Sequence, residues 1–124
     1  MKKIFLIVLA CLFVFGCETN KKEKGVKYFY SNYQDFALYL GSRGKHHIKS
    51  VIFTGNYMVI KYSYKNGELS GYIKPNGNYT GTYRTSSSTG DFTLKFDESG
   101  SAIGDWSCSN CFISVSDSLA IVPK

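Results

Sequence analysis

Cys108 and Cys111 are the residues of this chain whose type and spacing most directly suggest chemistry. A Cys-Ser-Asn-Cys segment can close a disulfide, act as a redox dithiol or supply two ligands to a metal ion. A redox dithiol needs its first cysteine at the start of a helix, whereas the residues after Cys111 have the pattern of a strand. A zinc site needs two more ligands, and covalent haem needs a histidine directly after the second cysteine, where this chain has Phe112. The sequence therefore favours a structural disulfide at a turn, with redox, metal and free-thiol states as the alternatives.

The other residues capable of catalysis form no recognisable motif. His46 and His47 are adjacent, so on an extended chain their side chains point to opposite faces and cannot serve one site together. Residues 86–89 are rich in serine and threonine but lack the G-x-S-x-G pattern of a nucleophile elbow. Neither a Gly-rich phosphate loop nor an H-E-x-x-H helix occurs. We therefore expect no catalytic residues, no metal, no cofactor and no enzymatic activity.

Aromatic residues are unusually frequent, with ten tyrosines and nine phenylalanines in 124 residues. Tyrosine combines apolar area with a polar tip, which suits binding interfaces. We predict a tyrosine-lined binding face that contains Tyr57, Tyr72, Tyr79 and Tyr83. The alternative is that these side chains stabilise the sheet as ordinary cross-strand aromatic pairs. Trp106 is expected in the core, and the chain has no motif that would bind nucleic acid.

The N-terminus has the composition of an export signal. Lys2 and Lys3 form a positive start, and the next twelve residues, 4–15, carry no polar side chain. A run of this length matches the apolar region of a signal peptide and falls short of the roughly 20 residues that a membrane span needs. The run closes on Val-Phe-Gly-Cys at positions 14–17.

This ending resembles the lipobox of bacterial lipoprotein signal peptides, in which an aliphatic residue, a variable residue and a small residue precede an invariant cysteine. The resemblance covers residues 1–17 and implies a signal peptide over 1–16, diacylglycerol on the Cys17 thiol and fatty acyl chains such as palmitate. At about 0.8 kcal/mol per buried methylene, several chains give a stable anchor. A second register that ends at Cys11 leaves an apolar region of only six residues, 4–9, before Ala10, so we prefer Cys17. An ordinary secretory peptide or an uncleaved anchor is the remaining alternative.

The same resemblance places the protein in the cell envelope, anchored to a membrane through lipid. Glu18 follows the cysteine, and a residue other than aspartate there implies the outer membrane if the host is Gram-negative. Residues 17–27 are predicted to be the lipidated cysteine and a flexible, lysine-rich tether, and residues 28–124 a single domain. Basic residues are concentrated in the first half of the chain: residues 21–65 have a formal net charge of +7.

The elements that must position these residues are mostly β. Residues 31–40 have a capping box and an apolar face, which predicts one short N-terminal helix. From residue 47 onward, apolar and polar residues alternate and turn signals such as Asn66-Gly67 recur every eight to twelve residues. We predict an antiparallel up-and-down meander, either a barrel or a sandwich. The predicted strands are 47–54, 57–65, 68–74, 78–85, 91–97, 101–107 and 111–116, with 118–122 as a further eighth strand.

Three functions are compatible with these features. The first is a non-enzymatic binding module in the envelope, whose partner would be another protein, as for an inhibitor or an immunity-type lipoprotein. The second is a small-molecule carrier with a lipocalin-like barrel around an apolar cavity. The third and most remote is an envelope hydrolase.

Overall fold

A closed barrel of eight antiparallel strands dominates the computed structural model, which describes residues 23–124. Each strand pairs with the next along the chain, and the last pairs with the first. This arrangement confirms the predicted antiparallel meander and decides for a barrel over a sandwich. The strands are β1 (Phe36–Tyr39), β2 (Lys45–Thr54), β3 (Tyr57–Tyr62), β4 (Gly67–Ile73), β5 (Asn78–Arg84), β6 (Thr89–Phe96), β7 (Ala102–Cys108) and β8 (Ser116–Pro123).

Alternation of apolar and polar residues places one face of each strand inside the barrel. In β6, Phe92, Leu94 and Phe96 are buried, whereas Thr93 and Lys95 between them are exposed. Successive side chains of a strand point to opposite faces, so this pattern fills the interior and leaves a polar outer wall. The fully buried side chains are Phe29, Leu38, Ile48, Met58, Ile60, Tyr62, Leu69, Tyr79, Leu94, Phe96, Leu119 and Ile121.

One short N-terminal helix is present, as predicted, but the predicted bounds of 31–40 are wrong. The structure places the helix, α1, over residues 23–31 and forms β1 from Phe36–Tyr39. Phe36, Ala37 and Leu38 are all buried, because β1 pairs with β2 on one side and with β8 on the other. These pairings close the barrel, and their hydrogen bonds outweigh a local helical pattern too short to persist alone.

The predicted strand at 111–116 is also wrong, while the eighth strand is present as β8. Phe112 and Ile113 lie in an exposed loop between β7 and β8. Cys111 is tied back to Cys108, so the chain cannot extend along β7 until it has passed this loop.

The turn before β4 differs by one residue from the Asn66-Gly67 prediction. Positive φ occurs at Lys65 and Asn66 (48° and 53°).

Helix α1 packs across one end of the barrel and includes residues 23–27, which the sequence assigns to the tether. Val26 and Phe29 of α1 are buried, and Gly25 lies so close to the β6–β7 turn that a Cβ there would overlap the carbonyl of Asp97. Residues 1–22, with the predicted signal peptide and Cys17, lie outside the described residues. Among residues 23–124, no helix is long and apolar enough to cross a bilayer.

The two ends of the barrel therefore differ. At the helix end, α1 lies against the β2–β3, β4–β5 and β6–β7 turns, where the groove beside it is lined by Val26, Phe53 and Pro75. At the disulfide end, the chain passes through the β1–β2, β3–β4, β5–β6 and β7–β8 connections.

Candidate functional site

The barrel separates the four tyrosines that the sequence predicted to share a binding face. Tyr79 and Tyr83 point into the interior and are buried, whereas Tyr57 and Tyr72 lie on the outer wall. The Tyr79 hydroxyl donates a hydrogen bond to the Met58 carbonyl at 2.7 Å. Burial raises the pKa of Tyr79 far above its ordinary value, so this side chain stays neutral and belongs to the core.

Tyr57 and Tyr72 form one part of an exposed apolar patch. They are direct partners across β3 and β4, and their rings meet edge to face with centroids 5.0 Å apart. Ile52 and Val59 are direct partners across β2 and β3, and Val59 lies two residues from Tyr57 on the same face. Ile52 is 55% exposed, Tyr57 37% and Tyr72 58%. We call these four residues the tyrosine patch.

The margin of the tyrosine patch is basic. Lys61 continues the outer face of β3 beyond Val59, and Lys74 follows Tyr72 by two residues at the end of β4. Glu68, on the outer face of β4, is the cross-strand partner of both Lys61 and Arg84, and its carboxylate lies 3.1 Å from Arg84 Nη2. Lys61, Lys74 and Arg84 thus face one carboxylate, and the margin of the patch has a net positive charge.

Cys108 and Cys111 form the predicted disulfide, with their Cα atoms 5.6 Å apart. The loop that it closes is fixed to β6, because Ser109 donates a backbone hydrogen bond to the Thr89 carbonyl and the Asn110 side chain accepts one from the Thr89 N–H. Closing so small a loop stabilises the fold by about 2 kcal/mol in the chain-entropy model. The cysteines thus have a structural role, as the sequence favoured.

Two neighbours of this disulfide were missed by sequence reasoning. Phe112 and Ile113 were predicted to be strand residues, but their side chains are 105% and 72% exposed. The sequence carries no signal that would have identified them, because Ile113 and Val115 alternate as they would in a strand. They form an exposed apolar tip on the disulfide end.

A small cavity lies at the disulfide end, with a volume of about 20 Å³, between Trp106, Tyr83 and Arg43. Trp106 is 6% exposed and Tyr83 4%, and their rings meet edge to face with centroids 5.3 Å apart. The Arg43 guanidinium covers the Trp106 ring at 5.1 Å from its centroid. The rest of the lining is apolar apart from hydroxyl groups, and comprises Leu40, Tyr62, Tyr64, Leu69, Thr85, Ser88 and Leu119.

Two polar atoms beside this cavity have no hydrogen-bond partner within residues 23–124, namely Tyr83 Oη and Trp106 Nε1. Burial raises the pKa of Tyr83, so its hydroxyl remains protonated at neutral pH. The nearby Ser88 hydroxyl lowers the pKa of Tyr83 by a smaller amount than burial raises it. The two hydroxyl groups do not meet the geometric criteria for a hydrogen bond. Both atoms are therefore available as donors.

The β1–β2 connection positions Arg43 over the cavity. The Asp117 carboxylate on β8 accepts hydrogen bonds from the backbone N–H and the hydroxyl of Ser42, both at 3.0 Å. These bonds, led by the one from the Ser42 backbone, lower the pKa of Asp117. Gly41 permits the contact, since its φ is +57° and a Cβ there would overlap the Asp117 carboxylate. Asp117 thus holds the loop that carries Arg43 against the barrel.

The histidines do not contribute to a metal centre in the part of the chain that the structure describes. Both are in β2, where His46 Nε2 donates to the Arg43 carbonyl at 2.7 Å and His47 is exposed on the other face. No group of three or more His, Cys, Asp or Glu side chains within residues 23–124 could surround a metal ion.

Comparisons of this chain with protein-family models, with curated proteins and with solved structures found no match.

Proposed function

We propose that this protein is a lipid-anchored component of the bacterial cell envelope that binds another protein through the tyrosine patch, without catalysis. The observation that carries the proposal is a contiguous group of apolar side chains on the outer wall of the barrel. Ile52, Tyr57 and Tyr72 are each more than one-third exposed. Exposed apolar patches rimmed by polar residues mark interaction sites, and tyrosine is enriched at the centres of such interfaces.

The charges around the patch favour a partner with an acidic surface. Lys61 and Lys74 flank the apolar residues, while Glu68 is already paired with Arg84. Complementary charges steer encounter and fix the orientation of the two proteins. A second copy of this chain would bring two basic margins together, so charge repulsion disfavours self-association through this surface.

The proposed anchor is compatible with this surface being accessible. Cys17 precedes the first residue of α1 by six positions, which span at most roughly 20 Å when extended. Since α1 packs on the helix end, a lipid at Cys17 would keep that end near the bilayer and direct the disulfide end away from it. The tyrosine patch, on the side wall, would remain open to a neighbouring envelope protein.

The carrier alternative has less support. Pockets that enclose a small molecule typically measure about 300–1,000 Å³. Bulky side chains such as Tyr79, Phe92 and Phe96 occupy the barrel interior, and the cavity at the disulfide end measures about 20 Å³. The groove beside α1 is larger, about 290 Å³, but it lies against the turns at the helix end and is not enclosed by the barrel. A hydrolase would need convergent polar side chains around a cleft, and within residues 23–124 we identify no such constellation.

Lipidation at Cys17 is tested by intact mass spectrometry of the protein recovered from membranes. We expect a chain that begins at Cys17 and carries acyl groups, because the residues at 14–17 match a lipobox. The mass should fall by two hydrogens relative to the reduced protein, owing to the Cys108–Cys111 disulfide. The Cys17→Ser variant should leave the membrane fraction. An unacylated chain in the wild type would contradict the proposed anchor.

Binding through the tyrosine patch is tested by photocrosslinking in native host cells. A photoreactive phenylalanine at position 72 should form a discrete protein adduct, whereas one at Thr93 should not. Thr93 is a matched control because it is exposed in the same row of strand pairs, two strands away from Tyr72. The captured protein, once purified, should bind the wild type directly, and Tyr57→Ala or Tyr72→Ala should weaken its Kd at least tenfold, as at interface hot spots.

Other results would contradict this proposal in distinguishable ways. An adduct of the chain with itself would make the patch a dimer interface. Adducts with lipid alone would make it a membrane-contact surface. Equal affinity of the wild type, Tyr57→Ala and Tyr72→Ala for the purified partner would exclude the patch as its binding site. Because both tyrosines are on the outer wall, their replacement should leave the barrel folded.

A further inference from the structure

The disulfide end carries a second candidate site, independent of the tyrosine patch. Tyr83 Oη and Trp106 Nε1 are both inaccessible to solvent and lack partners among residues 23–124. Buried polar groups in native proteins are nearly always hydrogen-bonded, so two such groups beside one cavity need an explanation. Both residues line a cavity of about 20 Å³, which is large enough for one water-sized group.

The groups around this cavity select for an acceptor with negative charge. An indole N–H donates only, a guanidinium donates only, and the Tyr83 hydroxyl can donate. Arg43 has no carboxylate within ion-pair distance in the described residues. Its charge contributes to lowering the pKa of Asp117, but the Asp117 carboxylate accepts its hydrogen bonds from Ser42 and Ser118. A planar guanidinium is well suited to a carboxylate, which it can bind through two parallel hydrogen bonds.

We propose that the disulfide end of the barrel binds a carboxylate, with Trp106 Nε1 and Tyr83 Oη donating to one carboxylate oxygen and the Arg43 guanidinium contacting the other. The cavity accommodates a single oxygen, and the second oxygen stays at its mouth beside Arg43. The apolar wall formed by Leu40 and Leu119 would contact the carbon that bears the carboxylate. The carboxylate can belong to a small free acid or to the C-terminus of a protein.

Trp106 makes the proposal directly measurable, since it is the only tryptophan in the chain. The full-length protein in detergent is titrated with sodium acetate at constant ionic strength, with sodium chloride as the balancing salt, while its fluorescence is recorded. We expect a saturable spectral change. Tyr83→Phe retains the ring and Arg43→Gln alters an exposed residue, and each should raise the acetate midpoint at least tenfold because hydrogen bonds to charged groups are strong.

The matched control is Arg84→Gln, which removes an exposed arginine of the outer wall and should leave the acetate midpoint within twofold of the wild type. Triglycine and its C-terminal amide identify the source of the carboxylate. If triglycine binds at least tenfold more tightly than acetate and triglycine amide does not bind, the natural ligand is a protein C-terminus. Equal binding of acetate and triglycine indicates a small free acid.

Four outcomes would overturn the proposal. A spectral change that chloride alone reproduces would show a salt effect. Tighter binding of phosphate than of acetate would assign a different anion class. Equal midpoints for the wild type, Tyr83→Phe and Arg43→Gln would place any acetate elsewhere. The absence of any saturable change would mean that a water molecule alone satisfies the two donors.

Discussion

Raising the pH from 9 to 11.5 is expected to lower the free energy of unfolding by about 4 kcal/mol. Burial raises the pKa of Tyr62 and of Tyr79 well above the ordinary tyrosine value near 10. Below pH 10 both side chains are neutral in the folded and unfolded states, so their contribution is fully present. Above pH 10 they ionise only in the unfolded chain. Each then reduces stability by about 1.4 kcal/mol per pH unit until the pH reaches its folded pKa.

The measurement is a series of denaturant unfolding curves between pH 8 and pH 11.5. Tyr79→Phe separates the two tyrosines, because it removes one ionisable group and should reduce the alkaline slope by about 1.4 kcal/mol per pH unit. The same variant should cost about 1 kcal/mol at neutral pH, since the Met58 carbonyl loses the hydrogen bond from Tyr79. A slope unchanged by Tyr79→Phe would show that Tyr79 ionises in the folded barrel and is not buried as described.

Phe29→Ala is expected to destabilise the protein by about 3–5 kcal/mol, the range for truncating a fully buried aromatic side chain. Phe29 is 0% exposed, and its ring lies 5.4 Å from the rings of both Phe36 and Phe96. The alanine variant would leave a cavity between α1, β1 and β6. Denaturant unfolding gives the change in free energy, and amide hydrogen exchange of residues 23–31 shows whether α1 leaves the barrel.

The matched control for this prediction is Tyr28→Ala, which removes the neighbouring ring of α1. Tyr28 is 54% exposed and contacts Phe36 at the longer centroid distance of 6.1 Å. We expect it to cost less than about 1 kcal/mol, since little of its surface is withdrawn from water. If Phe29→Ala were as mild as Tyr28→Ala, residues 23–31 would be part of a tether, as the composition of residues 17–27 suggested, and not a structural element of the barrel.

The sequence predicted strands correctly where the alternation of apolar and polar residues matched the burial of one face of the strand. The alternation of Phe92, Leu94 and Phe96 with polar residues identified β6, because one face of that strand is in the core and the other in water. It failed at Phe36–Tyr39, because Phe36 and Ala37 also fit one face of a helix. Short apolar segments satisfy both periodicities, and only the partner strands decide between them.

The direction of the tyrosine side chains at the candidate site could not be predicted from the sequence either. Tyr57, Tyr72, Tyr79 and Tyr83 are equivalent in a list of aromatic residues, yet the pairing register directs two outward and two inward. A one-residue change of register would reverse those directions. The cavity at the disulfide end was beyond prediction, because it combines Arg43 and Trp106, which are far apart in the sequence and meet only when the barrel closes.

The sequence by itself determined the antiparallel meander, the Cys108–Cys111 pairing and the expectation of a lipid anchor at Cys17. Each follows from residues that are close together along the chain, where periodicity, spacing or a short motif is sufficient. Only the tertiary structure decided that the sheet closes through β1 and β8, that α1 covers one end, and that the apolar and donor-rich surfaces lie where they do. These features depend on contacts between residues distant in sequence, whose free energy appears only after the whole barrel has formed.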